Sequence, residues 1–206
     1  MPTSHQFTLS DETATAALAA RFAQAFAAAL SPVAQSAASV STPLAAGLQV
    51  HMVGDLGAGK TAFVRGVLRA LGHAGRVRSP TYTLVEPYAL PRTDPVPHTL
   101  QIHHFDLYRF ADPDEWREAG FDDYLAARAL NLIEWPSLAA GVLPTPDLIL
   151  TLRVDVATDA DSVAPGVAEP VDVDDATDSG SPRTLQVQAI SPAGVACLAA
   201  VLEPHP

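Results

Sequence analysis

Apolar residues recur along this chain with two different periods, and the alternation between them outlines the elements. Leu18, Phe22, Phe26 and Leu30 fall every four residues, which predicts an amphipathic helix that Ser31-Pro32 ends. Phe7-Thr8-Leu9 reads as a short strand before it. Ser10 offers an N-cap, with Asp11 and Glu12 in a first turn where negative charge is favoured. Residues 31 to 46, rich in Ser, Ala and Pro, read as a loop. Gly47 to Val53 alternates as a strand, and Phe63, Val64, Val67, Leu68 and Leu71 then repeat at helical spacing, closed by Gly72 as a C-cap. Thr81 to Val85 is β-prone. A connection with Pro91, Pro95 and Pro97 follows, then the run Leu100 to Asp106, so the pair predicts an antiparallel hairpin with an irregular tip. Asp112-Pro113-Asp114 opens a short helix through Glu118 that stops at Gly120. Leu130 to Trp135 reads as a strand stopped by Pro136, Leu148 to Val154 and Thr184 to Ile190 as the last two strands, and Pro192 to Leu202 as a final helix.

One stretch does not fit either period. Residues 155 to 182 carry Asp155, Asp159, Asp161, Glu169, Asp172, Asp174, Asp175 and Asp178 with no basic residue. Such a segment buries too little apolar surface to offset its ordering entropy, and it reads as a disordered, acidic hairpin tip within a single domain of residues 1–206. The formal net charge of −11 argues against a chain that grips a nucleic-acid backbone by itself. If RNA is involved, a partner protein is expected to hold it. No apolar run approaches the roughly 20 residues of a membrane helix, and the N-terminus lacks the basic and apolar regions of a secretory signal. Cys197 is the single cysteine, which rules out an internal disulfide and makes a reducing cytoplasm the simplest home.

The only lysine, Lys60, sits in Gly54-Asp55-Leu56-Gly57-Ala58-Gly59-Lys60-Thr61. That run fits the phosphate-binding loop (P-loop) pattern G-x-x-x-x-G-K-[ST] at every fixed position, between a strand and a helix as the pattern requires. Glycines let the loop curl so that successive N–H groups cradle phosphate oxygens. The following helix adds a partial positive charge of roughly half a unit at its N-terminus. Lys60 is placed to reach the β- and γ-phosphates, and the Thr61 hydroxyl to ligate Mg²⁺. Two strand ends supply acids for metal and water: Asp106 and Glu134. Ser79-Pro80-Thr81-Tyr82-Thr83 is hydroxyl-rich and reads either as a switch over a γ-phosphate or as a plain turn into a strand. His103 and His104 are adjacent in a strand and face opposite sides, which argues against a shared zinc ion. An Asn-Lys-x-Asp guanine-reading element is impossible with one lysine already committed, so ATP is favoured over GTP.

Four motifs in order carry a resemblance: Gly54 to Thr61, Val77 to Tyr88, His104-Phe105-Asp106-Leu107-Tyr108-Arg109, and Leu132-Ile133-Glu134-Trp135-Pro136. Together they resemble the bacterial TsaE (YjeE) ATPases, over most of residues 7 to 154 and again from 183. The resemblance implies an α/β P-loop nucleotide-binding fold with a mixed, centrally parallel sheet flanked by helices. It implies ATP hydrolysis that supports threonylcarbamoyl transfer to adenosine 37 of tRNAs reading codons that start with A. The partners it implies are TsaD and TsaB, with tRNA reached only through that complex. By motif matching, Gly57, Ala58, Gly59, Lys60, Thr61 and Ala62 bind nucleotide, Ala62 standing where many members carry a second threonine. Thr61 and Glu134 are the implied Mg²⁺ ligands, and Lys60 and Asp106 the implied catalytic groups, Asp106 as a water-orienting group. Ser79 to Thr83 resembles the switch, Trp135 lies beside the site, Glu12 is similar in position to a residue near the adenine, and Arg183 matches an arginine near the nucleotide. Two rivals stay open: a small-molecule P-loop kinase, and a nucleotide-gated assembly module with incidental hydrolysis.

Overall fold

The computed structural model describes residues 3–32, 47–93, 96–155 and 181–203. In chain order these form β1 (Thr3–Leu9), α1 (Glu12–Ala29), β2 (Leu48–Val53), α2 (Lys60–Ala70), β3 (Val85–Arg92) and β4 (His98–Asp106). Then come α3 (Pro113–Glu118), α4 (Phe121–Ala126), β5 (Ala129–Glu134), a 3₁₀ turn (Pro136–Ala139), β6 (Leu148–Val154), β7 (Arg183–Ala189) and α5 (Pro192–Leu202). All seven described strands join one sheet in the order β1-β7-β6-β2-β5-β4-β3. The central strands β6, β2, β5 and β4 run parallel. The outer pairs β1–β7, β7–β6 and β4–β3 are antiparallel. The sheet is therefore mixed and centrally parallel, as expected.

Apolar residues on the two sheet faces build two separate cores. On one face Val50, Met52, Leu130, Leu132 and Leu150 pack beneath α1, α2 and α5. Phe22 sits against Phe26 and Phe63, with ring centroids 5.6 and 5.7 Å apart. Each such ring, fully buried, contributes about 1.5–3 kcal/mol. α1 and α2 approach closely because Gly66 faces Ala19: a Cβ on Gly66 would lie 2.8 Å from the Ala19 methyl. The opposite face carries a smaller aromatic core in which Phe105 and Ile133 meet Trp116, Phe121 and Leu125.

Several local expectations are corrected. The N-cap of α1 is Asp11, not Ser10. The Asp11 carboxylate accepts from the Ala14 N–H at 2.8 Å, and the Ser10 hydroxyl donates to Asp11 in turn. Asp11 wins because a carboxylate meets the positive helix end with full charge. The hairpin exists, but its first strand is β3, Val85–Arg92; residues 81–83 form a turn instead. Leu84 takes a left-handed conformation (φ 62°), with its N–H donating to the Pro80 carbonyl at 2.7 Å. Pro87 and Pro91 are tolerated inside β3 because it is an edge strand. α4 had no periodic signal at its length of six residues. Gly72 does close α2: its N–H donates to the Arg69 carbonyl and the His73 N–H to the Leu68 carbonyl, the paired pattern of a Schellman end. The acidic stretch read as disordered, and most of the loop read at 31 to 46, lie outside the described residues. Their described margins show β6 and β7 paired out to Val154 and Arg183, with the Asp155 N–H donating to the Pro182 carbonyl.

His51, in the central strand β2, is half-buried and its Nε2 has no hydrogen-bond partner among the described residues. Burial pushes the imidazole down to about 4 from 6.5. The unfolded chain therefore binds the proton more readily between those values, and stability from this residue is lost as pH falls through that window. Wild type should lose about 2 kcal/mol more than His51→Leu on acidification from about pH 7 to about pH 4, allowing for partial exposure. Denaturant unfolding at both pH values measures the difference. Equal acid sensitivity would show that the ring ionises as freely in the folded protein as outside it.

Candidate functional site

Strand direction gathers the motifs along one edge of the sheet. The carboxyl ends of the parallel strands β2, β4 and β5 carry Gly54, Asp106 and Glu134 in turn, with Asp106 and Glu134 in register. Because β7 and β1 alternate in direction, Arg183 and Leu9 pair at the same edge, and Glu12 follows in the exposed first turn of α1. β3 begins there too, opposite Phe105, so the Ser79–Thr83 segment enters from that side.

The loop between β2 and α2 needs its glycines for space and for backbone angle. A Cβ on Gly54 would fall 2.4 Å from the Leu152 carbonyl oxygen, and Gly54 has a φ of 148°. Gly59, at φ 97°, is the N-cap of α2, and the Arg183 side chain lies across it, with Nε 3.4 Å from where a Cβ would be. Gly57 also has positive φ, Ala58 is buried, and its N–H donates to the Asp55 carbonyl at 3.1 Å. Thr61 and Ala62 continue into the first turn of α2, half-buried.

Lys60 is 5% exposed. Its ammonium donates to the carbonyls of Gly54 (2.7 Å) and Asp55 (2.9 Å) and lies 3.8 Å from the centre of the Trp135 ring. Burial lowers its pKa, opposed by the attraction of Glu134, Asp106 and Asp55. Trp135 reaches that position from a left-handed backbone (φ 57°), which turns the chain directly after β5.

Glu134, 2% exposed, offers Oε1 to two donors: the Thr61 hydroxyl at 2.9 Å and His104 Nε2 at 2.8 Å. Asp106 is equally committed. Its Oδ1 accepts from the Tyr108 N–H at 2.9 Å, and its Oδ2 accepts from the hydroxyls of Ser79 and, at 3.3 Å, Thr81. The hydroxyl-rich segment is thus tied to the second acid, a link that spacing alone does not contain. His104, which strand alternation argues against as a zinc ligand shared with His103, is the hydrogen-bond partner of an acid. The available signal was its position two residues before Asp106, which puts both side chains on one face of β4. His103, on the other face, bonds Asn131 at 2.8 Å.

The arrangement offers a curled backbone and a lysine for anionic phosphate, and two oxygen donors, Thr61 and Glu134, whose hard oxygen chemistry suits Mg²⁺. The family model for threonylcarbamoyl adenosine biosynthesis protein TsaE matches residues 9–162. The chain belongs to the TsaE family. The TsaE match spans the P-loop, the Ser79–Thr83 segment, Asp106 and Glu134, whereas β7 with Arg183 lies beyond it. Among curated relatives, the tRNA threonylcarbamoyladenosine biosynthesis protein TsaE of Haemophilus influenzae is 45% identical over 105 residues, 51% of this chain and 62% of that protein. The Bacillus subtilis TsaE is 37% identical over 100 residues, 48% of this chain and 58% of that one. The chain therefore spans about three fifths of the length of these TsaE relatives. A crystal structure of Bacillus subtilis YdiB superposes with a TM-score of 0.62 at 22% identity, covering 98% of this chain and 95% of that one, and so shares its fold.

Proposed function

We propose that this chain is the ATP-binding and ATP-hydrolysing subunit that supports threonylcarbamoyl transfer to adenosine 37 of tRNAs reading codons that start with A. In this reading it acts in the cytoplasm with TsaD and TsaB. The observation that carries it is the pairing of Thr61 with Glu134 at the mouth of a glycine-rich loop, with Lys60 and Asp106 beside it. Membership of the TsaE family supports the pathway, and no helix among the described residues is long and apolar enough to cross a membrane.

Each residue has a separable task. The N–H groups of residues 57 to 62 bind phosphate oxygens, that of Ala58 on leaving the Asp55 carbonyl, with the α2 N-terminus behind them. Lys60 exchanges the Gly54 and Asp55 carbonyls for β- and γ-phosphate charge. Thr61 and Glu134 hold Mg²⁺, which when bound neutralises charge on the β- and γ-phosphates. Asp106 accepts a hydrogen bond from the attacking water and orients it, and Ser79 and Thr81 fix the Asp106 carboxylate. Arg183, against Gly59, and Glu12 extend the nucleotide site towards β1. Catalysis of this kind rests on positioning and charge, so ordering by partners raises turnover.

The test is ATP hydrolysis with and without TsaD and TsaB, with threonylcarbamoyladenosine formation measured in parallel. Slow turnover alone, rising with the partners, is expected. Phosphate appearing on a small-molecule acceptor rather than in water would replace this reading with a kinase. The isolated chain, at a net charge of −11, should bind tRNA weakly at physiological salt because it repels the phosphate backbone. An anisotropy titration decides this, and submicromolar affinity would bring direct RNA contact to the front.

A further inference from the structure

We propose that His104 is a positioning residue for the metal: its Nε2–H holds the Glu134 carboxylate in place for Mg²⁺. The inference rests on the magnesium-ATP reading above.

His104 is 0% exposed, on β4 between β3 and β5, and its Nδ1 has no hydrogen-bond partner among the described residues. Its one hydrogen bond among the described residues is with Glu134 Oε1, at 2.8 Å. A ring buried only to fill space is a poor choice there, because an unsatisfied buried polar atom costs about 1–3 kcal/mol that an apolar ring of similar size avoids. The strand register explains how the contact arises. Asp106 lies opposite Glu134 and His104 opposite Leu132, so the imidazole reaches Glu134 diagonally across two parallel strands on one face. Both strands are hydrogen-bonded on both sides within the sheet, which suits a group whose task is to fix another.

Glu134 Oε1 receives two donors, and they are not equivalent. The Thr61 hydroxyl is flexible about its own bond, and a hydroxyl recruited as a metal ligand turns lone pairs towards the ion. The imidazole has no such second task. It keeps one carboxylate oxygen anchored, so the rotation of Glu134 about its terminal bond is restricted before a cation arrives. Hydrogen bonds to metal-ligating groups are typically worth about 10–100-fold in metal affinity.

The experiment compares wild type with His104→Gln, His104→Leu and His104→Asn. Glutamine carries an amide N–H at about the reach of imidazole Nε2, leucine has no donor, and asparagine is too short to reach Glu134. Mn²⁺ affinity is read by electron paramagnetic resonance with a non-hydrolysable ATP analogue, and nucleotide affinity by calorimetry in Mg²⁺ and in EDTA. His104→Leu and His104→Asn should lose about 10–100-fold in metal affinity, with His104→Gln within about threefold of wild type. Nucleotide affinity in EDTA should be unchanged throughout. Wild-type metal affinity in folded His104→Leu overturns the proposal. Should the leucine variant not fold, equal metal affinity in the asparagine and glutamine variants overturns it. A wild-type protein that binds ATP no better with Mg²⁺ than in EDTA defeats the underlying magnesium-ATP reading instead, and this inference falls with it.

Discussion

Lys60→Ala should weaken ATP binding by at least about a hundredfold, because truncating one partner of a buried charge pair costs about 2–5 kcal/mol. No other lysine exists in the chain to substitute. Arg183 lies across Gly59 on the β7 side, but its forked guanidinium is no replacement for a compact ammonium. Lys60 also ties the loop to itself through Gly54 and Asp55 and packs on Trp135, so the variant loses a preformed loop as well as a charge. The fold should survive, since the substitution keeps every side chain of the two cores. Calorimetric titration with ATP and Mg²⁺ measures the effect, with a melting curve as the control for folding. Wild-type affinity in a folded variant would reject the phosphate-loop assignment.

Asp106→Asn and Glu134→Gln should damage hydrolysis in different ways, although both are nearly isosteric and both sites are buried at the same sheet edge. In Asp106→Asn the new amide can keep the Tyr108 contact while the Ser79 and Thr81 hydroxyls reverse to accept, so shape is retained and charge is lost. Turnover should fall by about 10²–10³, within the range for loss of a group that manages a proton, with nucleotide affinity little changed. Glu134→Gln instead removes a charged oxygen donor for the cation, so the Mg²⁺ concentration for half-maximal activity should rise about tenfold or more. Steady-state rates over a matrix of ATP and Mg²⁺ concentrations separate the two. Identical Mg²⁺ dependence in wild type and Glu134→Gln would remove the ligand role.

Much of this protein could be read before its tertiary structure, wherever one physical rule acts over a short span. Helical spacing from Leu18 to Leu30 located α1, and the run from Phe63 to Leu71 with its glycine stop located α2. The P-loop was legible for the same reason: its geometry needs glycine at fixed steps and leaves few alternatives at each. The strand-end acids Asp106 and Glu134 followed from where strands meet a phosphate loop. Failures came where neighbours in space competed with local preference. The β-prone residues 81–83 form a turn, from which Thr81, with Ser79 just before it, binds Asp106, and β3 begins only at Val85, as an edge strand that admits proline. The strand period at His103 and His104 argued against a shared zinc ion but could not show that the parallel register of β4 and β5 sets His104 against Glu134. The sequence by itself thus determined most of the element types, the glycine-rich loop between β2 and α2 and the two acids at strand ends, because those depend on period and local backbone geometry. Which side chains restrain those acids, and that the Trp135 ring lies against Lys60, was decided by strand order and register, which bring together residues dozens of positions apart.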